Sequence, residues 1–270
     1  MNVTAYLNLN FDDDVPFPDR VDQAAAAGVD GIEFYGWDLG TTTGQSATFA
    51  SGGAELDVDA VVDRIEAHDL DLVYMSGDRP PLTDPALADE ALTSIERSLE
   101  LADQYGCRAV NIKTGPVQVG ISREVQRQTI IDTLRRAAPA AEAADAMVVL
   151  EPLNPLEAPD HFIHTVAEGC ALIDAVDSPS IRVLFDIYHE QLSRGNLVNT
   201  ISDTLETYAG HVHVADPPDR TQPGTGEINW DRVFETIAQT DYDGYIGGEF
   251  RAKGDTVEAL ETLVDLADQY

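Results

Sequence analysis

Four apolar, strand-like runs in this chain end on, or carry, groups that can do acid–base or metal chemistry. They are Glu151 in VVLEPLN, Asp186 and His189 in VLFDIYH, His211 and His213 in GHVHVAD, and Glu249 in YIGGEF. Glu33 in GIEFY is a fifth acidic group of the same kind. A carboxylate at the end of an apolar run is costly to bury unless a cation meets it. Glu33, Glu151, Asp186, His213 and Glu249 together are carboxylates with one imidazole and no thiolate. That donor set suits Mg²⁺ or Mn²⁺ better than Zn²⁺, which more often draws several His or Cys. One divalent ion would offset the repulsion among the converging carboxylates and keep them ionised.

The segment after His213, ADPPDRTQPGTGEINW, has a logic of its own. Pro217, Pro218 and Pro223 stiffen it, while Gly224 and Gly226 permit positive φ and close backbone approach. A rigid loop of this kind could present Arg220 to a substrate carboxylate, which a guanidinium grips bidentately. The remaining histidines read more plainly. His211 is expected in the core and His68 on a helix surface, and His161 and His164 follow a Pro-rich loop as substrate-adjacent or structural groups. Glu33 could equally pair with an Arg on a neighbouring strand. Cys107 and Cys170, too few for a disulfide framework and outside any CxxC pattern, are expected as buried thiols.

Strands must bring these groups together, and the chain alternates short apolar runs with longer amphipathic stretches throughout. Strands are expected at 3–8, 29–35, 70–75, 107–112, 146–151, 181–186, 210–215 and 243–249. Helices are expected at 17–27, 57–68, 85–105, 122–144, 165–176, about 197–208, about 230–239 and 255–269. Eight β-then-α units with right-handed crossovers close into a (β/α)₈ TIM barrel, here one α/β domain over 1–270. A doubly wound open sheet would want a Gly-rich phosphate loop after the first strand, and NLNFDDDVP offers none. In a barrel the C-terminal strand ends share one mouth, where all five donor residues would meet.

Composition narrows the partners. Asp and Glu total 49 against 16 basic residues, for a net charge of −33, and only Lys113 and Lys253 are lysines. The acidic residues are spread along the chain instead of forming a tail, which fits a folded protein with a strongly negative surface of the kind halophiles use. Such a surface repels nucleic acid and anionic membranes. The N-terminal MNVTAYLNLNFDDD carries neither a basic leader nor an apolar core, so a cytoplasmic enzyme acting on small molecules is expected. Exterior helices could pair copies into a homo-oligomer.

The stretches LEPLN (150–154), FDIYHEQLSRGNL (185–197), GHVHVADPPDRTQPGTGEINW (210–230) and DGYIGGEF (243–250), with the weaker DGIEFYGWD (30–38), resemble the hydroxypyruvate isomerase family. That family lies within the xylose isomerase-like TIM barrel superfamily. The resemblance is dense from about 147 to 253, and GHVHVAD followed by PGTGEINW is its most specific part. It implies Glu151 and Glu249 as a proton-shuttling pair near a divalent metal, with Asp186 and His213 completing the metal shell. His189 and Arg220 would bind substrate. The implied reaction converts hydroxypyruvate to tartronate semialdehyde through an enediolate. Position 213 departs from the pattern, being His where hydroxypyruvate isomerases often have Gln and related ketose epimerases have His. A ketose 3-epimerase or other sugar isomerase on the same site is therefore the alternative.

Overall fold

The computed structural model describes residues 1–35, 57–77 and 79–270. Eight parallel strands, β1 (Asn2–Tyr6), β2 (Gly31–Tyr35), β3 (Asp71–Ser76), β4 (Ala109–Lys113), β5 (Met147–Glu151), β6 (Ile181–Asp186), β7 (Ala209–Val214) and β8 (Tyr245–Gly248), pair in sequence order. β8 returns to β1 with Val3 opposite Ile246, so the sheet closes into a barrel. The strands are almost wholly buried on both faces, which is why they read as continuous apolar runs.

Between the strands, and after the last one, run α1 (Leu7–Asn10), α2 (Phe17–Ala26), α3 (Val58–Ala67), α4 (Ala88–Tyr105), α5 (Arg123–Ala143), α6 (Val166–Val176), α7 (Ile187–Ser193), α8 (Leu197–Tyr208), α9 (Trp230–Ala238) and α10 (Thr256–Asp268). Their starts follow from side chains that take up orphan amides. Ser122 accepts from Val125 N, Asn229 from Arg232 N and Asp255 from Glu258 N, while Thr165 and Glu168 form a reciprocal capping box. The expected elements are all present, with ends displaced by up to three residues. Two short helices were not anticipated. The first strand stops at Tyr6 because Asn10 Oδ1 accepts from Tyr6 N at 2.7 Å and turns the chain into α1. The Asn10 amide then donates to Gly248 O and Phe250 O, tying that turn to the end of β8. The second, α7, begins directly at Asp186 and carries His189, which is therefore a helical residue. Gly36, Trp37 and Asp38 of the DGIEFYGWD stretch fall outside the described residues.

Register places the chemistry. Lys113 on β4 lies opposite Glu151 on β5, Asp186 on β6 opposite His213 on β7, and His213 opposite Gly247 on β8. Cys107 and Cys170 are buried thiols, both pushed up to about 12 chiefly by burial. No described helix is long and apolar enough to cross a membrane.

Candidate active site

His211 and His213 are two apart on one strand and so point to the same side, into the barrel. Both find the same partner. Glu33, fully buried on β2, sets Oε1 2.9 Å from His211 Nε2 and Oε2 2.7 Å from His213 Nε2, and Thr4 Oγ1 also donates to it. Burial alone would push the Glu33 carboxyl up; the two imidazoles overcome it and hold it at about 2. Gly247 makes room for this group, since a Cβ there would stand 2.1 Å from Glu33 Oε1. Tyr74 packs on both rings, at 5.4 Å from His211 and 5.0 Å from His213. Glu33 thus pairs with histidines instead of an arginine, and His211, buried as expected, is the far end of this hydrogen-bonded row.

An ionised Glu33 can only accept, so His213 donates to it from Nε2 and its Nδ1 faces the mouth. Burial opposes a charge on the ring, but Glu33 and Glu249 raise its pKa well above the ordinary value, so a cation at Nδ1 would take the place of a proton. His213 Nδ1 is buried and 2.9 Å from Glu249 Oε2, yet without the alignment of a hydrogen bond. Donor atoms of Glu151, Asp186, His213 and Glu249 all lie within 4.8 Å of one another, and all four residues are buried. An orphaned imidazole nitrogen among three carboxylates is a fit for a hard divalent cation, with Glu33 orienting the ligand from behind.

Asp186 does two jobs with its two oxygens. Oδ1 caps α7, accepting from Tyr188 N at 2.8 Å and His189 N at 3.3 Å, and Oδ2 faces the mouth, 3.4 Å from Arg220 Nη2. Burial raises its carboxyl to about 8, against the pull of Arg220. Glu249 sits one residue past β8, and its Oε2 accepts from Arg220 Nη2 at 2.6 Å. Burial opposes its ionisation, but Arg220 and His213 hold it well below the usual carboxylate range. Glu151 Oε2 accepts from Asn111 Nδ2 at 3.1 Å and lies 3.7 Å from Lys113 Nζ.

His189 is 4% exposed, with Nε2 3.7 Å from Glu151 Oε1 and 3.5 Å from Asp186 Oδ2. Its Nδ1 accepts from the backbone N of Asn154, the last residue of LEPLN, which leaves the proton on Nε2. Burial, then Arg220, keeps this imidazole neutral by pushing its pKa well below the ordinary value.

Arg220 arrives on the 216–230 loop in a left-handed conformation, φ +55°. Its guanidinium stacks 4.9 Å above the Tyr188 ring and also reaches Glu157 at 3.7 Å. Burial opposes its charge, yet Glu249 and Asp186 raise its pKa further. Asp216, which the sequence reading passed over, builds the loop. Its buried carboxylate accepts from Gly224 N, Gly226 N, Ile228 N and Trp230 Nε1 at 2.8–3.1 Å. A Cβ at Gly226 would meet Pro217 O at 2.0 Å, so the loop closes only around glycine there. Glu151, Asp186, His189, His213, Arg220 and Glu249 therefore meet at one mouth, whereas Glu33, expected there as a fifth donor, sits behind His213 because both its oxygens are taken by the two imidazoles. Asn111, Lys113, Asn154, Glu157 and Tyr188 join them unannounced.

Comparison with known proteins bears on the family. Residues 21–267 match the family model described as xylose isomerase-like TIM barrel. Hydroxypyruvate isomerase of Escherichia coli is 29% identical over 247 residues, covering 90% of this chain and 91% of that enzyme. The 2-oxo-tetronate isomerase of Cupriavidus necator is 30% identical over 190 residues, 70% of this chain and 73% of that one. Among solved structures, one described as AP endonuclease, family 2, from Brucella melitensis superposes with a TM-score of 0.84 at 26% identity, covering 98% of this chain and 99% of its own. With the closed barrel, the carboxylate–imidazole mouth and these matches in place, the chain belongs to the xylose isomerase-like TIM barrel family and is an isomerase of it.

Proposed function

We propose that this chain is a metal-assisted isomerase of small hydroxy-oxo acids, taking hydroxypyruvate to tartronate semialdehyde. The observation that carries the reading is the convergence of Glu151 and Glu249 on the point where Asp186 and the orphaned His213 Nδ1 also meet. These four residues would hold the ion, Mg²⁺ or Mn²⁺ by the chemistry of the donor set. When bound, such an ion polarises the substrate's carbonyl and hydroxyl oxygens and offsets the carboxylates' charge.

The reaction moves one hydrogen from C3 to C2, with the C3 hydroxyl and C2 carbonyl exchanging roles through an enediol. Glu151 and Glu249 flank that path as the pair that takes the proton from one carbon and returns it to the next. His189 Nε2 and Arg220 Nη2 both lie within 3.5 Å of Asp186 Oδ2, and from there they would meet the oxygen charge that develops. Both donors are held before substrate arrives, His189 by Asn154 and Arg220 by the loop built on Asp216.

His213 favours one second reading, a ketose 3-epimerase, in which the same two carboxylates exchange a hydrogen on a single carbon. DNA cleavage has little support, because a net charge of −33 opposes approach to a polyanion. Proton NMR in D₂O with hydroxypyruvate, 2-oxo-tetronate and a panel of free ketoses separates the two isomerase readings. Turnover of the acids is expected. Turnover of ketoses with none of either acid would replace the first reading by the second.

A further inference from the structure

We infer that Lys113 forms the subsite for the substrate's carboxylate, in a recess between the ends of β3 and β4. This rests on the proposed hydroxy-oxo acid chemistry and adds to it the group that separates acids from neutral sugars.

Three observations carry it. The recess, about 150 Å³, is lined by Gly77, Arg79, Pro81, Asn111, Lys113 and Gly115, and it lies beside the reacting carboxylate. Asn111 and Lys113 are the two residues of that wall that also touch Glu151 Oε2, at 3.1 and 3.7 Å. A water occupies about 30 Å³, so a carboxylate fits. Second, the wall is cationic in a chain of net charge −33 that has two lysines in all. Arg79 lines the same recess as Lys113 and donates to Asn111 O and, at 3.0 Å, to Ser98 Oγ. Lys113 itself is 45% exposed, so its ammonium can swing from Glu151 to an incoming anion.

Third, the other cation of the mouth is already engaged. The Arg220 guanidinium contacts Glu249, Asp186 and Glu157 and lies over Tyr188. It faces the reacting oxygens from the β6–β8 side, whereas Lys113 sits across the mouth on β4. A substrate lying between them places its C2 and C3 oxygens toward Arg220 and its carboxylate toward Lys113.

The test compares hydroxypyruvate with dihydroxyacetone, which replaces the carboxylate by a neutral hydroxymethyl group. Wild type, Lys113→Met and Lys113→Arg are assayed with saturating Mn²⁺. Lys113→Met is expected to raise KM for hydroxypyruvate about 10- to 100-fold, the loss of one charge-assisted contact, with a much smaller change in kcat. Dihydroxyacetone turnover should move less than threefold (a figure on the order of assay scatter), and Lys113→Arg should recover most of the KM. Equal effects of Lys113→Met on both substrates, or none on hydroxypyruvate, overturn the subsite while leaving the acid isomerase intact. A wild-type enzyme that turns over no hydroxy-oxo acid overturns both.

Discussion

Glu33 Oε2 lies 2.7 Å from His213 Nε2, and that contact decides which imidazole nitrogen faces the mouth where the three carboxylates meet. Glu33→Gln keeps the size of the side chain but replaces one acceptor by an NH₂ donor, so one of the two histidines must turn its proton the other way. Loss of such a supporting carboxylate typically weakens metal binding about 10- to 100-fold. Calorimetric titration with Mn²⁺ measures this directly. An unchanged Kd would show that Glu33 is a core ion pair with no hold on the site.

How legible this relationship was depends on its range. The period of apolar runs and the acidic or His-bearing strand ends are local signals, and they gave the eight strands, the barrel, and Glu151, Asp186, His213 and Glu249; the Pro/Gly-rich loop pointed to Arg220, and the family resemblance to His189. Glu33 and His213 are 180 positions apart and pair only because β2 and β7 point into one barrel interior. The sequence grouped both as donors to one site, but nothing at either position announces that Glu33 takes the far nitrogen of His213 and that of His211. Asp216 was hidden for a different reason: its four partners are three backbone amides and an indole, so no charged neighbour flags it. Lys113 reads from sequence as one cation at a strand end, and only its register with Glu151 gives it a place.

Asp216→Ala removes the acceptor from four donors in the loop that delivers Arg220. Leaving such a network unsatisfied costs on the order of 3–5 kcal/mol, less whatever water recovers. Urea denaturation gives the stability change, and limited proteolysis should cut within 217–229 in the variant and not in the wild type. A variant as stable and as resistant as wild type would mean that the prolines alone shape the loop.

His161, 7% exposed, has its Nε2 3.0 Å from Thr114 Oγ1. Burial, with Lys113 and His164 adding to it, lowers its pKa to about 4. The folded chain therefore refuses a proton that the unfolded chain accepts below about pH 6.5. Stability from this residue is intact above that value and is lost as the pH falls toward 4. At pH 5 the wild type should have lost about 2 kcal/mol relative to pH 7 that His161→Gln does not lose. Parallel denaturation curves for the two proteins at both pH values would contradict this.

The central claim is that Glu151 and Glu249 carry the migrating proton. Its most direct measurement is the fate of the C3 hydrogens of hydroxypyruvate in D₂O, followed by proton NMR for the Mn²⁺- or Mg²⁺-loaded wild type, Glu151→Gln and Glu249→Gln, with bound metal quantified in each. Each variant should convert hydroxypyruvate about 10²- to 10⁴-fold more slowly at matched metal content. One of the two should still exchange C3 hydrogen with solvent faster than it forms tartronate semialdehyde, because the carboxylate that removes the proton remains. Conversion and exchange at wild-type rates in both metal-loaded variants would contradict the account.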